Sequence, residues 1–448
     1  MSAIPTKGGL PLLGSLFQYR NDKIGFLNQL RDQLGDQVRF RLGKHSIILL
    51  THPEDIQWIE AKNSKNYVKA TNLRELVGDG ILMSEGQKWH KQRRLIQPTF
   101  HQGSLMKMVD DMNLRISAYV QGVDLEVARS DSPIDVSTGL KKLVFEIVGE
   151  ALFGSEIGNE FHDLRESMEY INVFLTKRFH QLVPLPLSFP TPDHRKFLKA
   201  KAQIDQVVYS IIDRKRLAIQ EGQAGQDLLT KMIEARDPET GDAMSVEQLR
   251  DEAVSMLLAG FETTGHLLPW ILALLCQHPE AQGDLQRELD EKLSGRIPNG
   301  EDTFQLTALN NIIDETLRLY PPIWAWTKRS LKEDQLRGAP IPAGSILYVS
   351  PYLIHRHPKI WANPNAFIPS RWTPELREKS KISFFPFGMG PRTCVGKHFA
   401  LLEVKLIVIR FLQKYQLSLV DPVSVEPVFK ITIDMKKPLM LRFKRRGN

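Results

Sequence analysis

The chain has 448 residues, of which 42% are hydrophobic and 25% charged, a mixture that excludes a disordered or fibrous protein. A length of this order can bury a large core and still enclose a bulky cofactor, while two cysteines, Cys276 and Cys394, exclude a disulfide framework and a cysteine-rich zinc or iron–sulfur site. The 59 Lys and Arg against 52 Asp and Glu leave a mild +7, which permits acidic protein partners; without a dense basic arm it excludes nucleic acid.

Residues 1–20 read as an irregular, proline-rich lead whose short, broken apolar run is not a signal peptide. Residues 36–50 alternate and carry β-formers, which predicts a small hairpin. From about 87 to 290 the pattern is mostly helical. The proline-rich stretch 184–193 breaks it as an extended connector, and EARDPETGDAM breaks it again. The longest helix is predicted to start at Ser245, where Ser245 and Gln248 fit a capping box. It runs toward Cys276 and stops before His278-Pro279, with a local perturbation at Pro269. Its apolar stretch carries Glu262 and His266 mid-way, so it reads as a buried helix and not as a membrane anchor. After 320 come short strand signals such as GAPIPAGSILYVS, a strong helix at about 397–415, and short strands over 416–445. No internal repeat and no clean linker is visible, so residues 1–448 read as one mainly α domain with small β-sheets. Cytoplasmic location follows by default.

Cys394 falls in FFPFGMGPRTCVGKHFALLEVK, a Gly/Pro-rich loop just before an amphipathic helix. Gly388, Gly390 and Gly396 permit tight turns and close approach of a flat ligand. A thiolate here would face a helix N-terminus, which lowers its pKa. Arg392 is placed to pair with a carboxylate on whatever the sulfur binds, and Phe387 to cover the sulfur. The bland alternative is an ordinary buried cysteine after a loop.

Phe387, Gly390, Arg392, Cys394 and Gly396 resemble the haem-ligand signature of the cytochrome P450 family, Phe-x-x-Gly-x-Arg-x-Cys-x-Gly. The resemblance extends along the chain in order. Glu315 and Arg318 in DETLRLYPP share a helical face, as a surface ion pair would, but they also match the family's Glu-x-x-Arg. Arg371 in AFIPSRW matches the third member of that structural triad. Ala259 to Thr264 is similar to the family's oxygen-activation motif, with Gly260 leaving room for a planar or diatomic ligand. Thr263 is the matching threonine and Glu262 the acid before it, Glu standing where Asp is commoner; a Thr pair packed in a helical core is the bland reading. Trp89 and Arg93 match a Trp-x-x-x-Arg pattern able to present an indole N–H and a guanidinium to a haem propionate. Arg329 and His355 are further propionate candidates, and His355 equally suits a satisfied structural histidine.

The resemblance implies the family's triangular prism-like fold in a single domain, with haem b (iron protoporphyrin IX) and Cys394 as axial ligand. It implies a monooxygenase that uses O2 and externally supplied electrons to hydroxylate, or epoxidise, a hydrophobic fatty acid, terpenoid or steroid-like substrate. Thr263, Glu262 and Gly260 are the expected catalytic residues. A thiolate ligand favours O–O cleavage. Competing readings are a peroxide-driven peroxygenase or haem-thiolate isomerase, and a non-enzymatic haem carrier or gas sensor. No fused reductase and no transmembrane anchor are read in the sequence. The expected partner of this bacterial-type monomer is a separate ferredoxin or flavodoxin-like protein with its reductase, attracted to a basic face with Lys91, Arg94 and Lys397. The substrate pocket is expected from 67–83, 171–185, 256–264 and 322–328, with Leu76, Phe174, Leu182, Phe261, Trp324 and Trp326 lining it or filling core.

Overall fold

The computed structural model describes residues 4–70, 73–130, 132–154, 160–179, 185–420 and 425–447. Leu182 and its neighbours 180–184, with 71 and 72, lie outside them. The chain parts into two compact units, one of Met1–Asn72 with Ala308–Val395, the other of Leu73–Thr307 with Gly396–Asn448.

In the first unit the predicted hairpin is present: Gln37–Leu42 pairs antiparallel with His45–Leu50, Leu42 opposite His45. A two-residue connection needs positive φ, which Gly43 supplies at 57°. The sheet continues through Ile346–Val349 and Trp326–Ser330 to Tyr67–Lys69, with His45–Leu50 and Ile346–Val349 parallel. The outer strand alternates, burying Val38 and Phe40, whereas Ile47 to Leu50 are buried without alternation, as a strand covered on both faces requires. Ile48, Leu50, Ile56, Leu347, Val349 and Phe385 share one core. Each such side chain contributes about 1.5–3 kcal/mol of burial. Phe385 therefore anchors the chain nine residues before Cys394.

The second unit is mainly helical. Its longest helix, Val246–Gln277, has 32 residues and spans about 48 Å. Ser245 caps it, accepting from the Gln248 N–H at 3.1 Å. The helix runs unbroken through Pro269. Among the described helices it alone is long and apolar enough to cross a membrane, and 78% of that window is buried inside the protein. Its main neighbour is the helix Val136–Phe153, where Phe261 meets Phe145 edge-on at 5.2 Å. Past the connector, Thr191 caps Pro192–Gln220 by accepting from His194 N–H at 3.1 Å. Lys397–Lys414 forms the predicted late helix. The tail gives Tyr415–Leu419 paired with Met440–Arg445, and a hairpin of Pro427–Phe429 with Ile433–Met435.

Candidate active site

The cysteine turn is built entirely within the first unit. Gly388 N–H donates to the Phe385 carbonyl at 3.0 Å, and Cys394 N–H to the Phe387 carbonyl at 2.9 Å. Thr393 closes the short turn Gly390–Arg392 by donating Oγ1 to the Gly390 carbonyl at 2.8 Å. Gly388 and Gly390 have φ of 77° and 67°, which a side chain resists. A Cβ on Gly390 would also lie 2.1 Å from the Glu60 carbonyl oxygen. The glycine thus permits the tight turn expected of it and lets that turn close against Glu60. Gly396 has φ −84° and serves as N-cap of the helix that follows.

The two cysteines differ sharply. Burial pushes the Cys276 thiol up to about 12, which makes it inert. Cys394 is exposed. An accessible thiol on a hydrogen-bonded turn, with Arg392 two residues earlier on that turn, fits a thiolate ligand for haem iron and a cation for a haem carboxylate. Phe387 is half-buried on the same turn.

Behind the turn lies Glu315, fully buried on the helix Thr307–Leu319. Arg318 donates to both its oxygens at 2.9 Å, Arg371 Nε to Oε1 at 2.9 Å, Trp372 Nε1 to Oε2 at 3.0 Å, and Ile368 N–H to Oε1 at 2.9 Å. Arg318 also reaches the carbonyls of His355, Pro364 and Ala366. A buried ion cluster persists only when the remaining donors and acceptors are satisfied in this way.

His355 is corrected from a propionate candidate to a structural histidine. It is fully buried, and its Nε2 accepts the Phe385 N–H at 3.1 Å. Burial, with Arg318 and Arg356 nearby, pushes its imidazole down to about 3, so it offers no positive charge to a carboxylate. Arg329, on Trp326–Ser330, is exposed.

In the second unit, Thr263 Oγ1 donates to the Ala259 carbonyl at 2.8 Å, the backbone contact its position suggested. Glu262 accepts from Asn172 Nδ2 at 2.6 Å and from Thr432 Oγ1 at 3.0 Å. Gly260 has a packing role as well. A Cβ there would lie 2.9 Å from Val148 Cγ1, so the missing side chain lets two helices approach. Trp89 and Arg93 share the helix Gly86–Ile96, Trp89 buried and Arg93 donating to Gln97 at 3.0 Å. Lys91 pairs with Asp242 at 2.5 Å and Arg94 with Asp237 at 3.1 Å and Glu239 at 2.9 Å, so these two charges are compensated internally. Of the expected pocket residues, Leu76 is fully buried, Phe174 stacks on Phe197 at 4.5 Å, and the half-buried Trp326 donates to Glu60 at 2.8 Å. A cavity of about 250 Å³ bounded by Lys107, Asp111, Glu150, Lys215 and Asp227 contains none of the motif residues.

A family model described as Cytochrome P450 matches residues 4–443. The chain belongs to the cytochrome P450 family. It is 31% identical to the cyclooctatin synthase of Streptomyces melanosporofaciens over 94% of this chain and 91% of that one. It is 31% identical to the cyclooctat-9-en-7-ol 5-monooxygenase of the same organism over 92% and 88%. The haem domain of cytochrome P450DA superposes with a TM-score of 0.89 at 26% identity, over 100% of this chain and 98% of that one. This P450 is thus a haem-thiolate oxidoreductase, a monooxygenase working on a hydrophobic substrate with O2 and electrons from a redox partner.

Sequence reasoning missed two carboxyls of this P450. Glu403, in the middle of Lys397–Lys414, is fully buried, and burial pushes it well above the usual carboxylate range, with Thr264 pulling it back only in part. Glu252 accepts from the Ile81 N–H at 2.8 Å, and burial pushes it up to about 8. An acid inside an apolar helical run, as in ALLEVKLIVI, was the available signal.

Proposed function

We propose that this P450 hydroxylates a terpenoid-like substrate, with haem b held by Cys394 and electrons delivered by a separate ferredoxin or flavodoxin-like protein to a single-domain monomer. The observation that carries the substrate class is the identity, over nearly the whole length, with the cyclooctatin synthase and the cyclooctat-9-en-7-ol 5-monooxygenase. Pentalenene oxygenase of Streptomyces avermitilis, 27% identical over 98% of this chain and 96% of that one, points the same way.

Bound haem supplies the iron centre for oxygen activation. Cys394 would give the thiolate, while Arg392, Trp89, Arg93 and Arg329 offer N–H donors for its carboxylates. Thr263 directs its hydroxyl proton to Ala259, which leaves the oxygen lone pairs to order a water. Glu262, held at both oxygens by Asn172 and Thr432, can take and release a proton at a fixed position.

The test is a spin-state titration of the ferric protein with fatty acids, steroids and polycyclic terpene hydrocarbons. Low-to-high-spin conversion by the terpene set at micromolar concentration supports the reading. A response confined to fatty acids would overturn the substrate class.

A further inference from the structure

The acid Glu262 has a neighbour that the expected proton route does not use. His266 lies one helical turn further along Val246–Gln277 and is 5% exposed. Its Nδ1 is 3.3 Å from Glu262 Oε1, and its Nε2 is 3.3 Å from Asp434 Oδ2. Thr432 Oγ1 stands 3.1 Å from the same Nδ1 while donating to Glu262. The ring is therefore clamped between two carboxylates from two different elements. Asp434 belongs to the strand Ile433–Met435 and is also met by Lys430 at 2.9 Å and by Lys141 of Val136–Phe153 at 3.5 Å. Burial alone would raise the Asp434 carboxyl, yet the contacts with His266, Lys141 and Lys430 outweigh it and hold Asp434 well below the usual range. Asp434 is 17% exposed and Lys430 43%, so this end of the array reaches solvent, whereas Glu262 is 12% exposed.

We infer that His266 is a positioning residue for Glu262, fixing its carboxylate and relaying protons to it from the Asp434 edge. The inference rests on the monooxygenase reading of Glu262 and deepens it. The relay conserves charge and atoms. From the neutral ring with its proton on Nδ1, that proton passes to Glu262 Oε1 as Nε2 takes one delivered from solvent by way of Asp434, and a half-turn of the ring then returns an N–H to the Glu262 side. The charged groups facing the ring are Glu262 on its own helix, Asp434 and Lys430 on the hairpin, and Lys141 on the neighbouring helix.

The experiment uses haem-loaded enzyme with a substrate that gives a spin shift, and compares His266→Gln, Asp434→Asn, Glu262→Gln and wild type. In 15N-histidine-labelled protein the His266 ring resonances, assigned by their loss in H266Q, should shift in both D434N and E262Q. H266Q should keep the wild-type spin shift and the reduced carbon-monoxide band. Its product formed per electron pair should fall severalfold, and the way that ratio varies with pH should differ from wild type. Ring resonances unmoved in D434N, or an H266Q enzyme with wild-type coupling and pH profile, would overturn the inference while leaving the monooxygenase reading intact. A wild-type protein without O2-dependent product would remove that reading and the inference with it. If H266Q does not fold, His266→Asn supplies both the assignment and the coupling readout.

Discussion

His355 Nε2 accepts the backbone N–H of Phe385 at 3.1 Å, while the carbonyl of the same histidine accepts Arg318 Nη1 at 2.8 Å. One residue thus joins the Glu315 cluster to the start of the cysteine turn. The next links are Gly388 N–H on the Phe385 carbonyl and Cys394 N–H on the Phe387 carbonyl. A continuous series of bonds runs from Glu315 to the backbone of Cys394.

Replacing His355 with Ala strands the Phe385 N–H in the core, at a cost of about 1–3 kcal/mol. The denaturation midpoint should drop, and haem should dissociate faster from the loosened turn. The pH dependence has a definite sign. The folded imidazole sits near 3 against an ordinary value near 6.5, so the unfolded chain takes up a proton that the fold refuses. Stability is complete above pH 6.5 and is lost as pH falls toward 3. His355→Gln, which keeps an acceptor, should flatten the midpoint over that window.

Arg318 and Arg371 should not be equivalent. Arg318→Ala leaves the buried Glu315 carboxylate and three carbonyls short of donors, an effect on the order of 3–5 kcal/mol. Arg371 is partly exposed and gives one bond to Glu315, so Arg371→Ala should cost less. Urea denaturation of the two variants orders them, and equal losses would contradict the described cluster.

The packing role of Gly260 makes its own prediction. Gly260→Ala drives a Cβ into the stiff, buried Val148 side chain and should destabilise by about 1–3 kcal/mol. Val148→Ala made with it should recover part of that loss, so the two changes are strongly non-additive. Additive losses in a double-mutant cycle would count against the contact.

Glu252 reverses the sign worked out for His355. Its folded carboxyl keeps its proton up to about pH 8, whereas the unfolded chain releases it near 4.5. Stability therefore falls as pH rises from about 4.5 to 8. Glu252→Gln should remove that slope and add on the order of a few kcal/mol at pH 8, while still accepting from Ile81.

Much of this architecture was legible in the sequence because the signals are local. The hairpin at 37–50 shows strand alternation around Gly43, and the long helix announces its own cap at Ser245. The cysteine motif identified the turn by residue type and spacing. What the sequence concealed is which way a side chain, or a missing one, faces. That the missing Cβ positions of Gly260 and Gly390 face Val148 and Glu60 could not be read from their neighbours in sequence. His355 suggested a propionate contact, and only the fold shows it enclosed by Phe384 and Phe385 at 5.3 and 5.2 Å. The partners of Glu262, namely Asn172, His266 and Thr432, come together from positions 90 and 170 residues away as well as from its own helix, a separation that no local pattern encodes.

The central claim is that Cys394 is the thiolate that binds haem iron, and that Cys276 is a buried bystander. The reduced carbon-monoxide difference spectrum of haem-loaded wild type, Cys394→Ala and Cys276→Ala tests it most directly. The thiolate-ligated Soret band should be present in wild type and Cys276→Ala and absent in Cys394→Ala. Retention of that band in Cys394→Ala, or its loss in a folded Cys276→Ala protein, would contradict the assignment.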